Sequence, residues 1–110
     1  MVKKDKIDEE LYKKASINDL ILFALFMLEE EEKEASFEKL TKKCFELFPK
    51  VFALSDRQKW PDTRKLDRPL RALRNYGFIT GSPQSIFKLT QKGKKRALKI
   101  TEDFRQGKLL

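Results

Sequence analysis

Arg64-Lys65-Leu66-Asp67-Arg68-Pro69-Leu70-Arg71-Ala72-Leu73-Arg74-Asn75-Tyr76-Gly77 is the stretch that decides the fold. At about 100° per residue, Leu66, Leu70 and Leu73 fall within about 60° of one another, while Arg64, Arg68, Arg71 and Asn75 gather on the opposite side. This spacing predicts a helix with a leucine seam and an arginine face. Asp62 and Thr63 offer N-caps, and Gly77 supplies the left-handed residue that commonly ends a helix. Pro69 works against the pattern. It lacks the donor that would reach back to Lys65 and disfavours helical geometry at Arg68, so a separate first turn, or a start near Asp67, is expected.

Downstream, Phe78-Ile79-Thr80-Gly81 and Ile86-Phe87-Lys88-Leu89 read as two short strands joined by the polar tip Ser82-Pro83-Gln84-Ser85. Thr90 then caps a last helix from about Gln91 to Arg105, with Ala97, Ile100 and Phe104 on one apolar stripe.

Upstream, Ser16 with Asp19 three residues later resembles a capping box and starts a helix from Ile17 to about Glu32. Its segment Leu20 to Leu28 is apolar without interruption. Nine residues fall short of the roughly 20 that span a bilayer, so the helix is either the central core element or part of a dimer contact. The acidic run Glu29 to Glu32 opposes the helix dipole and is expected to be solvated and to fray. Ser36 caps a second helix, Phe37 to about Phe48, with Leu40, Cys44, Phe45 and Leu47 for burial and Lys39, Lys42, Lys43 and Glu46 for solvent. Pro49 ends it, and residues up to Pro61 read as a long connection whose Phe52, Leu54 and Trp60 tuck into the core. The first 14 residues form a charged, partly frayed segment in which Ile7, Leu11 and Tyr12 allow one or two helical turns, and residues 15–110 form a single domain.

The fold class read from this pattern is mainly α with a small β-hairpin (α+β), in the order helix, helix, loop, helix, hairpin, helix. The charge is divided along the same line. Met1 to Phe48 carries nine lysines and no arginine against twelve acids, a balance of −3, whereas Pro49 to Leu110 carries sixteen lysines and arginines against five acids, a balance of +11. A field so lopsided attracts polyanions. One cysteine, Cys44, allows no intramolecular disulfide and points to a reducing, cytoplasmic setting; its neighbours Leu40, Phe45 and Phe48 mark it as a small buried hydrophobe. The chain contains no histidine, which removes histidine-based triads and the usual zinc sites.

Leu70-Arg71-Ala72-Leu73-Arg74-Asn75-Tyr76-Gly77-Phe78-Ile79 and Phe87-Lys88-Leu89-Thr90-Gln91-Lys92-Gly93 together resemble the winged helix-turn-helix superfamily of prokaryotic DNA-binding domains. The resemblance implies a recognition helix in the major groove and a hairpin wing on the adjacent backbone or minor groove. Carried onto this chain, Arg64, Arg68, Arg71 and Asn75 would face the groove with Lys65 and Arg74 flanking, and Ser82, Gln84, Ser85 and Lys88 would belong to the wing.

The chemistry of the residues agrees with that implication. Arginine to guanine and asparagine to adenine are the favoured bidentate pairs for reading base edges. Phosphate positioning needs only cations, which Lys50, Arg57, Lys59, Lys92, Lys94 and Lys95 supply. Two plainer readings stand beside these: the arginine face as a solvated surface with Asp67 paired to Arg71, and the cluster from Lys92 to Lys99 as solubilising charge. Trp60 reads as a packing anchor rather than a base-stacking platform. Pro61-Asp62 resembles part of a nuclease motif, but no carboxylate follows on either hairpin strand, so Asp62 reads as a cap and no catalysis is expected. The expected partner is double-stranded DNA, bound by a homodimer acting as a transcriptional regulator associated with the nucleoid. No membrane, metal, cofactor or small-molecule effector is expected. The alternative is a protein-interaction module that docks through Leu20 to Leu28 or through the last helix.

Overall fold

The hydroxyl of Ser16 accepts the Asp19 N–H at 3.2 Å and starts the helix around which everything else is packed. The computed structural model describes residues 9–54 and 57–106, excluding the side chains of Glu9, Leu11, Leu54, Arg57 to Pro61 and Gln106. In chain order its elements are α1 (Glu9–Tyr12), α2 (Ile17–Glu30), β1 (Ala35–Ser36), α3 (Phe37–Leu47), α4 (Pro49–Phe52), β2 (Ala53–Leu54), β3 (Arg57–Pro61), α5 (Arg64–Asn75), β4 (Ile79–Thr80), β5 (Ile86–Leu89) and α6 (Gln91–Gln106). The molecule is mainly helical, with a small three-stranded antiparallel sheet in the order β1-β5-β4.

α2 is buried on almost every side. Leu20 to Leu25 and Leu28 lie in the core, Phe26 and Met27 are half-buried, and α3, α5, α6 and β5 pack around the helix. Of the two roles open to its apolar run, the structure selects the core element and leaves no leucine face for a partner. α2 ends earlier than expected, because Glu32 takes a left-handed conformation (φ 57°) and the Lys33 N–H donates to Leu28 O at 3.0 Å.

The acidic run does not simply fray into solvent. Glu29 accepts the Leu89 N–H at 2.9 Å and so clamps β5, and Glu31 accepts from the Lys43 ammonium at 2.8 Å with Lys33 at 3.6 Å. Lys43, assigned to solvent by helical spacing, is instead buried, with 8% of its side chain exposed and its ammonium paired to this carboxylate. The Lys43 hydrogen bond, more than the pair's Coulomb attraction, holds the Glu31 carboxyl below its ordinary value of 4.5. A lowered folded value means that the stabilisation is present above the unfolded pKa and is lost as pH falls through the folded one. Lys43→Met should therefore flatten the fall in stability below about pH 4.5 and cost at most about 1 kcal/mol at pH 7, as read from urea unfolding at a series of pH values.

Tyr12 on α1 joins the core with its ring edge-on to Phe48 at 5.1 Å, and its hydroxyl accepts the Lys50 N–H at 3.1 Å. Ile7 lies outside the described residues. Phe23, Phe48, Phe52 and Phe104 complete this aromatic cluster, with Phe23 and Phe104 T-shaped at 5.1 Å. Cys44 is fully buried, and desolvation pushes its thiol pKa up, so it remains a protonated packing residue.

The long connection after Pro49 is not a loop. Pro49 opens the single-turn helix α4, at a position where a missing donor costs nothing, and β2 and β3 then form a second antiparallel pair with Ala53 opposite Pro61 and Leu54 opposite Arg57. No alternation of apolar and polar residues marks these strands, so the sequence carried no periodic signal for them. Phe52 is buried as expected, whereas the expected burial of Leu54 and Trp60 falls on side chains outside the described set. β1 was equally silent. Its two residues pair with Phe87 and Ile86, about fifty positions away, placing β5 in the middle of the sheet.

Candidate nucleic-acid interface

The Asp62 carboxylate starts α5. It accepts the Arg64 N–H at 3.1 Å and the Arg64 guanidinium at 3.0 and 3.3 Å, and the arginine, chiefly through its hydrogen bond, holds this buried carboxyl below the ordinary aspartate range. Thr63 makes no side-chain cap. The first turn is tight, with Lys65 N–H donating to Asp62 O and Leu66 N–H to Thr63 O, both at 3.1 Å. From there α5 is one helix to Asn75. The break expected at Pro69 does not occur, because buried Leu66 on one side and buried Leu70 and Leu73 on the other hold the helix to the core through the missing bond.

The C-terminus of α5 feeds directly into the hairpin. Gly77 has φ 83°, its N–H donates to Arg74 O at 3.0 Å, and the Phe78 N–H donates to Leu73 O at 2.9 Å, the double bond pattern of a Schellman cap. β4 then pairs with β5 in the register Ile79 to Leu89 and Thr80 to Lys88. The tip closes on itself: Ser85 N–H donates to Ser82 O at 2.9 Å and Ser82 N–H to Ser85 Oγ at 3.0 Å. Thr90 links hairpin and last helix. Its hydroxyl accepts the Gly93 N–H at 3.0 Å and donates to Gly77 O at 2.7 Å, so Thr90→Val should lower unfolding free energy by about 1–2 kcal/mol, measured in denaturant.

The structure sorts the expected contact residues into distinct groups. Arg68, Arg71 and Asn75 share one exposed face of α5, opposite the buried leucines, and Arg64 joins them with 79% of its side chain exposed while bonded to Asp62. Arg71 pairs with Asp67 at 2.5 Å, in the arrangement of the plainer reading, yet 60% of each side chain remains exposed. Lys65 is withdrawn from this face. Its ammonium donates to Val51 O at 2.8 Å and ties α5 to α4. Arg74 turns toward the hairpin and donates to Gly81 O at 2.9 Å, which fixes the tip relative to the helix.

Ser82 is half-buried and spends its groups within the tip, while Gln84 and Ser85 are exposed. Lys88 lies away from the arginine face, in a cleft of about 430 Å³ that it shares with Glu29, Glu32, Glu34 and Lys94. Lys92 is also committed, donating to Tyr76 O at 2.9 Å with its ammonium 4.8 Å from the centre of the Phe78 ring. Lys50, Lys94 and Lys95 are exposed. Arg96 is held by Asp19 through two bonds and Lys99 by Asp103, so this end of the basic cluster is neutralised by the chain itself. The side chains of Arg57 and Lys59 lie outside the described set.

One residue was passed over. Tyr76 follows Asn75 directly and is 61% exposed, beside the face that carries the arginines. An exposed aromatic at the end of a cationic helix is the signal that could have singled it out. Among the described residues no group of three or more acids and cysteines is placed to hold a metal ion, and no helix is long and apolar enough to cross a membrane. No protein-family model, curated protein or solved structure matches the chain.

Proposed function

We propose that the chain is a winged helix-turn-helix module that binds double-stranded DNA, with α5 in the major groove and the hairpin from β4 to β5 as the wing. The observation that carries this reading is the exposed face of Arg64, Arg68, Arg71 and Asn75, set opposite a fully buried leucine seam and coupled to the hairpin by Arg74 and the Gly77 cap. A helix that lies flat on the core by one side presents the other side as a unit. That side offers guanidinium and carboxamide groups, the donors suited to guanine and adenine edges. The balance of +11 in the half of the chain that contains α5 supports the same reading, since phosphate neutralisation supplies most of the affinity for duplexes.

As a biological role we propose a transcriptional regulator, or the DNA-recognition part of a larger system, associated with the nucleoid. The competing reading, a protein-docking module, is weakened at one of its two surfaces, because Leu20 to Leu25 and Leu28 are packed inside the chain and only Phe26 and Met27 are half-buried. A selection of bound sequences from random duplexes tests the proposal. An enriched motif is expected, and a two-fold one would report binding as a homodimer with its half-site spacing. Absence of enrichment together with salt-independent binding would overturn it.

A further inference from the structure

The geometry points to Asp67 and Arg71 as a joint reader of one G·C base pair, an inference that rests on the duplex-binding proposal above. Asp67 is the only acid in α5 and lies on the flank of the helix that faces the hairpin. There it lines a cleft of about 100 Å³ with Leu70, Arg71, Arg74, Pro83 and Phe87, between the helix and the tip. Its carboxylate binds Arg71 at 2.5 Å with both side chains well exposed, so neither group is spent on the core.

A phosphate entering this cleft would meet a fixed negative charge beside the arginines. A base edge meets the same carboxylate without repulsion, because it carries no net charge and can offer it a donor. The group that fits must present acceptors to Arg71 and, next to them, a donor to Asp67. Across the major groove a G·C pair presents guanine N7 and O6 as two adjacent acceptors, followed by the cytosine N4 donor; an A·T pair places its donor between two acceptors. Arg71 therefore takes the guanine edge in bidentate fashion while Asp67 accepts from the cytosine amine. The ion pair already present holds the guanidinium in place before binding, which reduces the side-chain entropy lost on docking. Asp67 also acts against wrong partners, because without a donor opposite it a buried carboxylate repels the duplex.

The test compares sequence selections for the wild-type protein, Asp67→Ala and Arg71→Ala, followed by titration of the selected duplex and of duplexes with single base pairs exchanged. Wild type should require one G·C pair, discriminating by about 5- to 100-fold. Asp67→Ala should lose at least about fivefold of that discrimination at this pair alone, leave the rest of the motif intact, and bind unrelated duplexes about threefold more tightly. Because the pair is exposed, Asp67→Ala should melt within about 3 °C of wild type, so a changed motif cannot be ascribed to unfolding. A wild-type motif that Asp67→Ala leaves unchanged at every position overturns the inference while sparing the duplex-binding proposal. A wild-type protein that selects no sequence overturns the inference, and one that in addition binds duplexes without salt dependence overturns the proposal beneath it.

Discussion

Gly93→Ala should cost about 3 kcal/mol or more and lower the melting temperature by on the order of 10–20 °C. A Cβ at Gly93 would stand 2.0 Å from Phe78 O, well inside any van der Waals contact, and 3.1 Å from a Leu89 methyl. The obstructing atom is a backbone carbonyl and cannot rotate away. That carbonyl accepts the Thr90 N–H at 3.0 Å and lies 3.1 Å from the Thr90 hydroxyl, so moving α6 outward breaks the contact that joins the last helix to the hairpin. The effect is steric alone, since Gly93 has no left-handed backbone to lose. Gly77 provides the complementary control. A Cβ there meets nothing within 4 Å, but its φ of 83° makes Gly77→Ala a purely conformational change costing about 1–2 kcal/mol. Thermal unfolding followed by circular dichroism separates the two, and a Gly93→Ala protein that melts within a few degrees of wild type would contradict the close packing of α6 on Phe78.

Arg68→Ala and Arg71→Ala together should reduce affinity for the selected duplex at least about thirtyfold, and each alone should cost about 1–3 kcal/mol. The two are not equivalent. Arg68 is exposed and makes no hydrogen bond or ion pair among the described residues, so its loss removes a contact and nothing else. Arg71 neutralises Asp67, and its removal leaves an uncompensated carboxylate facing the duplex, so Arg71→Ala should be the more damaging single change. Titration across a range of salt concentrations checks both. A log-log slope near zero for the wild type, or an undiminished affinity in the double variant, would count against α5 as the reading helix.

Local features of this chain were legible because their causes are local. The leucine seam of α5, the serine caps of α2 and α3, the glycine at the end of α5 and the hairpin after it all depend on residues within about ten positions of one another. The burial of Cys44 followed from its apolar neighbours on one helix face. The separate first turn, or start near Asp67, that Pro69 predicts is absent for the opposite reason: intrinsic preference disfavours the turn, and tertiary packing of leucines on either side overrides it. The β2 and β3 pair and the two-residue β1 carry no period of their own; β2 and β3 pair with each other across a short connection, and β1 is created by a partner about fifty positions along the chain.

The candidate contact face divides in the same way. Composition, helical spacing and turn residues by themselves determined that a basic half exists, that Arg64, Arg68 and Arg71 share one side of a helix, and that a hairpin follows. Only the tertiary structure decided which cations remain available. Lys65 is taken by a carbonyl 14 positions away, Lys92 by one 16 away, Arg74 by the hairpin tip, and Lys43 by a carboxylate 12 positions back. Periodicity predicts which way a side chain leaves its own helix. A hydrogen bond to another element depends on where the whole chain has brought that element, and this distance in space is what sequence spacing does not contain.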